Sequence, residues 1–240
     1  MRHCSGARVS IVQPNNAKLS IDLSGLFSGD ARVAELYGQG DPAQLLPAEA
    51  AFLGRAVAKR AQEFAAGRVC ARRALAEFGI HDVPIEMAAD RQPRWPQSMV
   101  GSITHTAGYC AAVVATRDTI AAIGLDSEAS AGVHRQLWPS ICLAAEIDWL
   151  NSLPEQQQHA AATLIFSAKE AFYKCQYPLT LERLGFHDAR VELIDWGGRR
   201  GAFSITATRH IGFAACAALP MMGRYTFHRG FVTTGLCTSP

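Results

Sequence analysis

Two stretches of this chain open on the same three residues and continue in the same way. SITHTAGYCAAVV starts at Ser102 and SITATRHIGFAACAAL starts at Ser204, 102 residues later. Each passes from Ser-Ile-Thr through a polar turn into an Ala-rich arm. Gly79 and Gly185 each follow a helical pattern and are 106 residues apart. Repetition on this scale implies duplication of one supersecondary unit, although a match this short leaves chance resemblance as the competing reading. The duplicated unit is α+β: two pseudo-symmetric halves, each a helix packed on a small antiparallel sheet. The expected boundaries are 1–124 and 125–240, forming one compact unit. Two halves of this kind leave a cleft between them, where ligand sites commonly fall.

Residues 1–48 mix apolar patches with turn signals and end at a helix start near Leu46 and Pro47. From Glu49 to Phe78 apolar residues recur at helical spacing, as one long helix or two collinear ones, with Gly79 as the glycine past its end. VPIEMAA, SMVGSITHT, GYCAAVVATR and TIAAIGLDSE read as strands. The second half has helical AAEIDWLNSLP and QQHAAATLIFSAKEAFYKC closing at Gly185. The strand-like RVELIDW, AFSITATRH, IGFAACAALP and RYTFHRGFVTTGL follow.

With 240 residues, 49% of them hydrophobic, the chain can bury a substantial core. A net charge of +2 is too mild for a nucleic-acid binder, which usually carries a strongly basic face. The seven cysteines form no CxxC pair, which suits a reducing cytoplasm and argues against structural zinc. The N-terminus MRHCSGARVS lacks the apolar core of a signal peptide, and no apolar run reaches membrane-spanning length. A cytoplasmic monomer is expected, with neither nucleic acid nor membrane as partner.

Three groups of residues are able to carry chemistry. In IGLDSE, strand alternation aims Asp126 and Glu128 to one side, and adjacent carboxylates repel unless a cation lies between them. Hard oxygen donors suit Mg²⁺, with Glu170 as the third ligand if its helix meets the strand. An exposed acidic strand end is the other reading. In KRAQEFAAGRVCARR, Arg60, Arg68 and Arg72 fall within three turns, and Arg91 and Arg94 bracket RQPRWP. Arginine's planar fork suits phosphate, and a solvated helix face is the alternative. His105 closes a strand in GSITHT, where it serves either as a ligand or as a structural residue.

The order GSITH, GLDSE, FSAKEAFYK resembles the Sfp-type 4′-phosphopantetheinyl transferases. KRAQEFAAGR and RQPRWP look like its enterobactin-type and Pseudomonas-type branch. The resemblance implies a coenzyme A site between the halves, with Asp126, Glu128 and Glu170 binding Mg²⁺ on the pyrophosphate. It places Lys174 on phosphate and His105 on the 3′-phosphate. Arg60, Arg68 and Arg91 join them as coenzyme A ligands. Ser102 and Thr104 of the GSITH segment are expected to help bind the cofactor. Lys169 is expected to point to solvent or to the pantetheine arm.

The implied reaction is attack by a serine of an apo acyl or peptidyl carrier protein on coenzyme A, with Glu170 or a water it holds as base. A Mg²⁺-dependent phosphohydrolase and a non-catalytic coenzyme A module are the rival classes. For docking the carrier, the segment from Glu128 to Gln158 offers His134 and Arg135 beside apolar Val133, Leu137, Trp138, Ile141 and Leu143. Those apolar residues serve equally well as cover for the second half's own core.

Overall fold

The computed structural model describes residues 18–19, 21–27, 30–54, 56–130, 132–212 and 220–240. Its strands and α-helices run β1 (Lys18–Leu19), α1 (Ile21–Ser24), β2 (Arg32–Tyr37), α2 (Pro47–Ala50), α3 (Ala58–Ala76), β3 (Met99–Thr106), β4 (Tyr109–Thr116) and β5 (Ala122–Ala129). They continue with α4 (Trp138–Ile141), α5 (Ala144–Ser152), α6 (Glu155–Thr180), β6 (Ala189–Leu193), β7 (Arg200–Ala207), β8 (Met221–His228) and β9 (Phe231–Thr238). Two antiparallel sheets result, ordered β1-β2-β4-β3 and β5-β9-β8-β7-β6. The fold is α+β in two halves, one long helix lying on each sheet.

Strand β4 explains how the halves join. Its residues are buried on both faces, so it reads as an almost unbroken apolar run. Cys110, Ala112 and Val114 face α3, packing with Val69, Ala71 and Leu75. Tyr109, Ala111 and Val113 face the other way, into a core that includes Ile123 and Leu125 of β5. Strand β5 is divided in the same manner. Its odd positions point toward the first half, while Ala122 joins the core beneath α6.

Several expectations need correction. The first helical stretch is broken: α2 is short, and α3 begins only at Ala58 before ending near Gly79, whose φ of +74° fits a residue past a helix end. VPIEMAA forms no strand, only an isolated bridge between Met87 and Pro93. Helix α6 does not run to Gly185. It passes through Pro178 and stops at Thr180, with Leu181 taking the left-handed conformation (φ 57°), so the glycine spacing is not part of the repeat. The arm FAACAAL, residues 213–219, lies outside the described residues, as do 1–17. In the second sheet the β8–β9 hairpin stands between β5 and β7, so the five-stranded sheet is not a copy of the first. Arg229 and Gly230 turn that hairpin with positive φ at both positions, as a type I′ turn requires.

Helix α6 rests directly on β5 at Gly124. A Cβ there would stand 1.9 Å from the Ala171 carbonyl oxygen and 3.0 Å from the Cys175 Cβ. Gly124→Ala is therefore expected to cost about 3 kcal/mol through overpacking against backbone, read as a lower denaturation midpoint. It should also reduce activity, because α6 carries Glu170 and Lys174 opposite β5.

Candidate active site

Helix α6 and strand β5 bring together the second-half residues expected from the sequence. Asp126 is buried, and its Oδ1 accepts hydrogen bonds from Lys174 Nζ (2.7 Å) and Thr104 Oγ1 (3.2 Å). Lys174 also donates to the Leu125 carbonyl (3.2 Å). Asp126 Oδ2 is buried without any hydrogen-bond partner. A buried carboxylate oxygen left bare is costly, and a cation is the group that would satisfy it.

Glu128 and Glu170 are half-buried, and each is strained by burial and by Asp126. Burial first, then Asp126, raises the Glu128 carboxyl to about 7. The same two causes raise Glu170, while Lys174 opposes the shift. Carboxylate oxygens are donors of the kind Mg²⁺ takes. Among the described residues no three such ligands stand close enough together to form a ready-made metal site.

The cations gather on the other side of Lys174. A cavity of about 510 Å³ is lined by Arg60, Arg68, Arg91, Arg117, His105 and Lys174, with Trp95 and Tyr177 among its apolar walls. Arg68 is mostly buried; its Nε donates to the Ile85 carbonyl (2.9 Å) and its guanidinium lies 3.9 Å from the Phe64 ring centroid. Burial lowers its pKa to about 10, so it remains charged at neutral pH. Arg60 and Arg91 are exposed at the rim. Arg117, which the sequence reading did not single out, donates to the Gln97 (3.3 Å) and Met99 (3.2 Å) carbonyls while lining the cavity. Neither Asp126 nor Glu128 lines this cavity. Glu170 lines a smaller neighbouring one of about 280 Å³ with Lys169, Tyr173 and Leu184.

Ser102 and Thr104 have a structural task in the protein itself. Strand β3 lies beside β5 without a backbone ladder, and the two hydroxyls stitch the seam. Ser102 Oγ accepts from Leu125 N (3.1 Å), and Thr104 Oγ1 accepts from Ser127 N (3.0 Å) while donating to Asp126. Ser102 still touches the cavity, whereas Thr104 is buried and outside it.

Other charged residues are engaged elsewhere. Arg72 is not free for phosphate, because it is paired with the buried Glu49. Arg94 lies within 3.8 Å of Glu86 and does not line the cavity. Lys169 does not point to solvent; it is buried and paired with Glu146 (2.7 Å). In the docking segment, Val133, Trp138 and Ile141 belong to the second-half core and Leu143 is half-buried. Leu137 remains exposed beside His134 and Arg135, and Arg135 is tied to Asn151 (2.6 Å) and stacked over Trp138. Glu49 and Glu146 escaped the sequence reading. The available signal was LPAEAA at 46–51 against LAAEID at 143–148.

His105 offers a direct probe of the cavity's field. Burial lowers its pKa below the ordinary 6.5; Lys174 and Arg60 lower it too, against Glu63 and Asp126. In an NMR titration of the free protein His105 should titrate below 6.5. Arg60→Gln should move that pKa up, and Glu63→Gln should move it further down.

Residues 48–115 match the 4′-phosphopantetheinyl transferase N-terminal domain, and residues 122–217 match the 4′-phosphopantetheinyl transferase superfamily. The 4′-phosphopantetheinyl transferase PptT of Mycobacterium tuberculosis is 37% identical over 212 residues, covering 86% of this chain and 92% of that protein. The 4′-phosphopantetheinyl transferase Npt of Nocardia iowensis is 34% identical, covering 85% and 93%. Enterobactin synthase component D of Escherichia coli is 36% identical over 148 residues, covering 61% and 67%. Matches of this extent, on a fold that sets a basic cavity beside buried carboxylates, show that the chain belongs to the 4′-phosphopantetheinyl transferase superfamily.

Proposed function

We propose that this protein transfers the 4′-phosphopantetheine group of coenzyme A to a serine hydroxyl of an apo acyl or peptidyl carrier protein, releasing 3′,5′-ADP. The observation that carries this reading is Lys174. One ammonium lines the basic cavity of the first half and also holds the buried carboxylate of the second. A pyrophosphate seated there has fixed positive charge on one side and a carboxylate group on the other. The matched families and named relatives are transferases, which leaves the hydrolase reading without support.

Asp126, Glu128 and Glu170 would hold Mg²⁺, supported by the bare Asp126 Oδ2 and by the raised pKa values of the two glutamates. Bound there, the cation would neutralise charge growing on the pyrophosphate. The protein's own residues supply position and charge, which dominate phosphoryl transfer. Arg60, Arg68 and His105 hold coenzyme A phosphates, with Arg91 and Arg117 at the cavity wall. The serine oxygen forms a bond to the phosphorus that bears pantetheine, and the bond from that phosphorus to the bridging oxygen of the leaving 3′,5′-ADP breaks. The serine proton passes to Glu170 or to a water it holds. A carboxylate that also holds the cation is a poorer base than a free one, which favours the water as the group that takes the proton.

Among the described residues, Cys70, Cys110 and Cys142 are buried thiols outside any disulfide, which supports a reducing, cytoplasmic setting. No helix among them is long and apolar enough to cross a membrane.

Incubation with coenzyme A, Mg²⁺ and a set of apo carrier proteins, followed by mass spectrometry, tests the reading. A carrier heavier by one phosphopantetheine is the expected product, and free phosphopantetheine with unmodified carriers would overturn the proposal. Asp126→Ala and Glu170→Gln should abolish transfer in a folded protein. Arg60→Ala should raise KM for coenzyme A about tenfold, the loss of one charge-assisted contact of about 1.5–3 kcal/mol. That penalty should shrink with dephospho-coenzyme A if Arg60 reads the 3′-phosphate.

A further inference from the structure

Each half contains the same buried clamp, and the proposed chemistry uses neither. In the first half Glu49 accepts hydrogen bonds from Leu46 N (3.0 Å) and Ile85 N (3.0 Å) and is paired with Arg72. Arg72 Nη2 also donates to the Gln44 carbonyl (2.5 Å). In the second half Glu146 accepts from Leu143 N (2.7 Å) and Val191 N (2.8 Å) and is paired with Lys169 Nζ (2.7 Å). Lys169 Nζ also donates to the Ile141 carbonyl (2.9 Å). Gln44 and Ile141, Leu46 and Leu143, Glu49 and Glu146, Arg72 and Lys169 are each 97 residues apart. One carboxylate thus ties together the segment before a helix, the long helix and the chain that returns after it.

Each clamp also touches a residue that serves a site group. Ile85, whose N–H is held by Glu49, offers its carbonyl to Arg68 Nε (2.9 Å), and Arg68 lines the cavity. Lys169 immediately precedes Glu170, so anchoring its ammonium fixes the rotation of α6 about its axis and the direction in which Glu170 projects. We propose that Glu49–Arg72 and Glu146–Lys169 are positioning pairs, the first setting Arg68 toward coenzyme A and the second setting Glu170 toward the reacting pyrophosphate. The proposal rests on the reading of Arg68 and Glu170 as site residues. A scaffold role makes no distinction between the two copies, whereas positioning gives each its own kinetic signature.

The test uses the full chain with Glu49→Gln, Glu146→Gln and Lys169→Arg, beside Arg68→Ala and Glu170→Gln as direct reports on the site. Thermal midpoint, kcat and KM for coenzyme A are measured for each. Both glutamate variants should lose thermal stability. Glu49→Gln should raise KM for coenzyme A about tenfold with kcat little changed, and Glu146→Gln should lower kcat about 10–100-fold with KM little changed, the scale seen when an orienting partner is lost. Lys169→Arg should keep most of kcat, since the equivalent carboxylate of the first half already accepts an arginine. If Glu146→Gln does not fold, Glu146→Asp, which keeps the charge on a shorter arm, is read by the same criterion.

Loss of thermal stability with unchanged kinetics, or one shared kinetic signature for both clamps, overturns the proposal while Arg68→Ala and Glu170→Gln still show their effects. If Arg68→Ala leaves KM and Glu170→Gln leaves kcat unchanged, the site reading fails and the positioning role fails with it.

Discussion

The structure turns on a buried carboxylate at the junction of three elements. Asp126 lies on β5, is held by Lys174 of α6 and is approached by Thr104 of β3. A charge taken out of water must be paired and hydrogen-bonded, or it destabilises the fold by several kcal/mol. Its pairing therefore requires α6 to sit on β5 and β3 to lie beside it. Gly124 permits the first contact, and the hydroxyls of Ser102 and Thr104 make the second. Joining the halves and assembling the site are the same event.

Period and order made much of this readable in the sequence. Alternation along IGLDSE places Asp126 and Glu128 on one side, and the helical spacing of FSAKEAFYK brings Glu170 and Lys174 opposite that side. What the pattern could not show is which charges are buried. Lys169 and Arg72 look like parts of solvated stripes, and only their partners, 23 residues away in each case, reveal otherwise. Glu146 and Glu49 carry no apolar signal, so a scan for hydrophobic periodicity passes over them. The segment from Glu128 to Gln158 left two readings open for the opposite reason. Trp138 and Ile141 are apolar because they close the core, and local sequence cannot tell core cover from an adhesive surface.

The helix end near Gly185 shows a further limit. Proline inside a helix normally breaks it, and a glycine a few residues on is the natural stop. Here α6 tolerates Pro178 within its last turn and ends on Leu181 in a left-handed conformation. Leu179 and Leu184 pack against the second-half core, and tertiary contact of this kind outweighs the local preference of a single residue.

Duplication accounts for the division of labour. A repeated unit supplies the same clamp twice, but the helix residues beside it differ. In the first half α3 presents Arg60 and Arg68 to the basic cavity; in the second, α6 presents Lys174 to that cavity and Glu170 to the smaller one beside it. Opposite charges on the two halves attract each other, most strongly where the dielectric is low. In the proposed reaction, arginines on one copy and carboxylates on the other would let each half neutralise its own share of a ligand with anionic phosphates at one end and a cation at the other. Lys174 belongs to the acidic half yet lines the basic cavity, so it is the residue through which the two fields meet. Its ammonium, 2.7 Å from Asp126, pairs one oxygen of a buried carboxylate and leaves the second oxygen without a partner. A scaffold that held both oxygens equally well would be more stable and would have less affinity left for anything arriving at the seam.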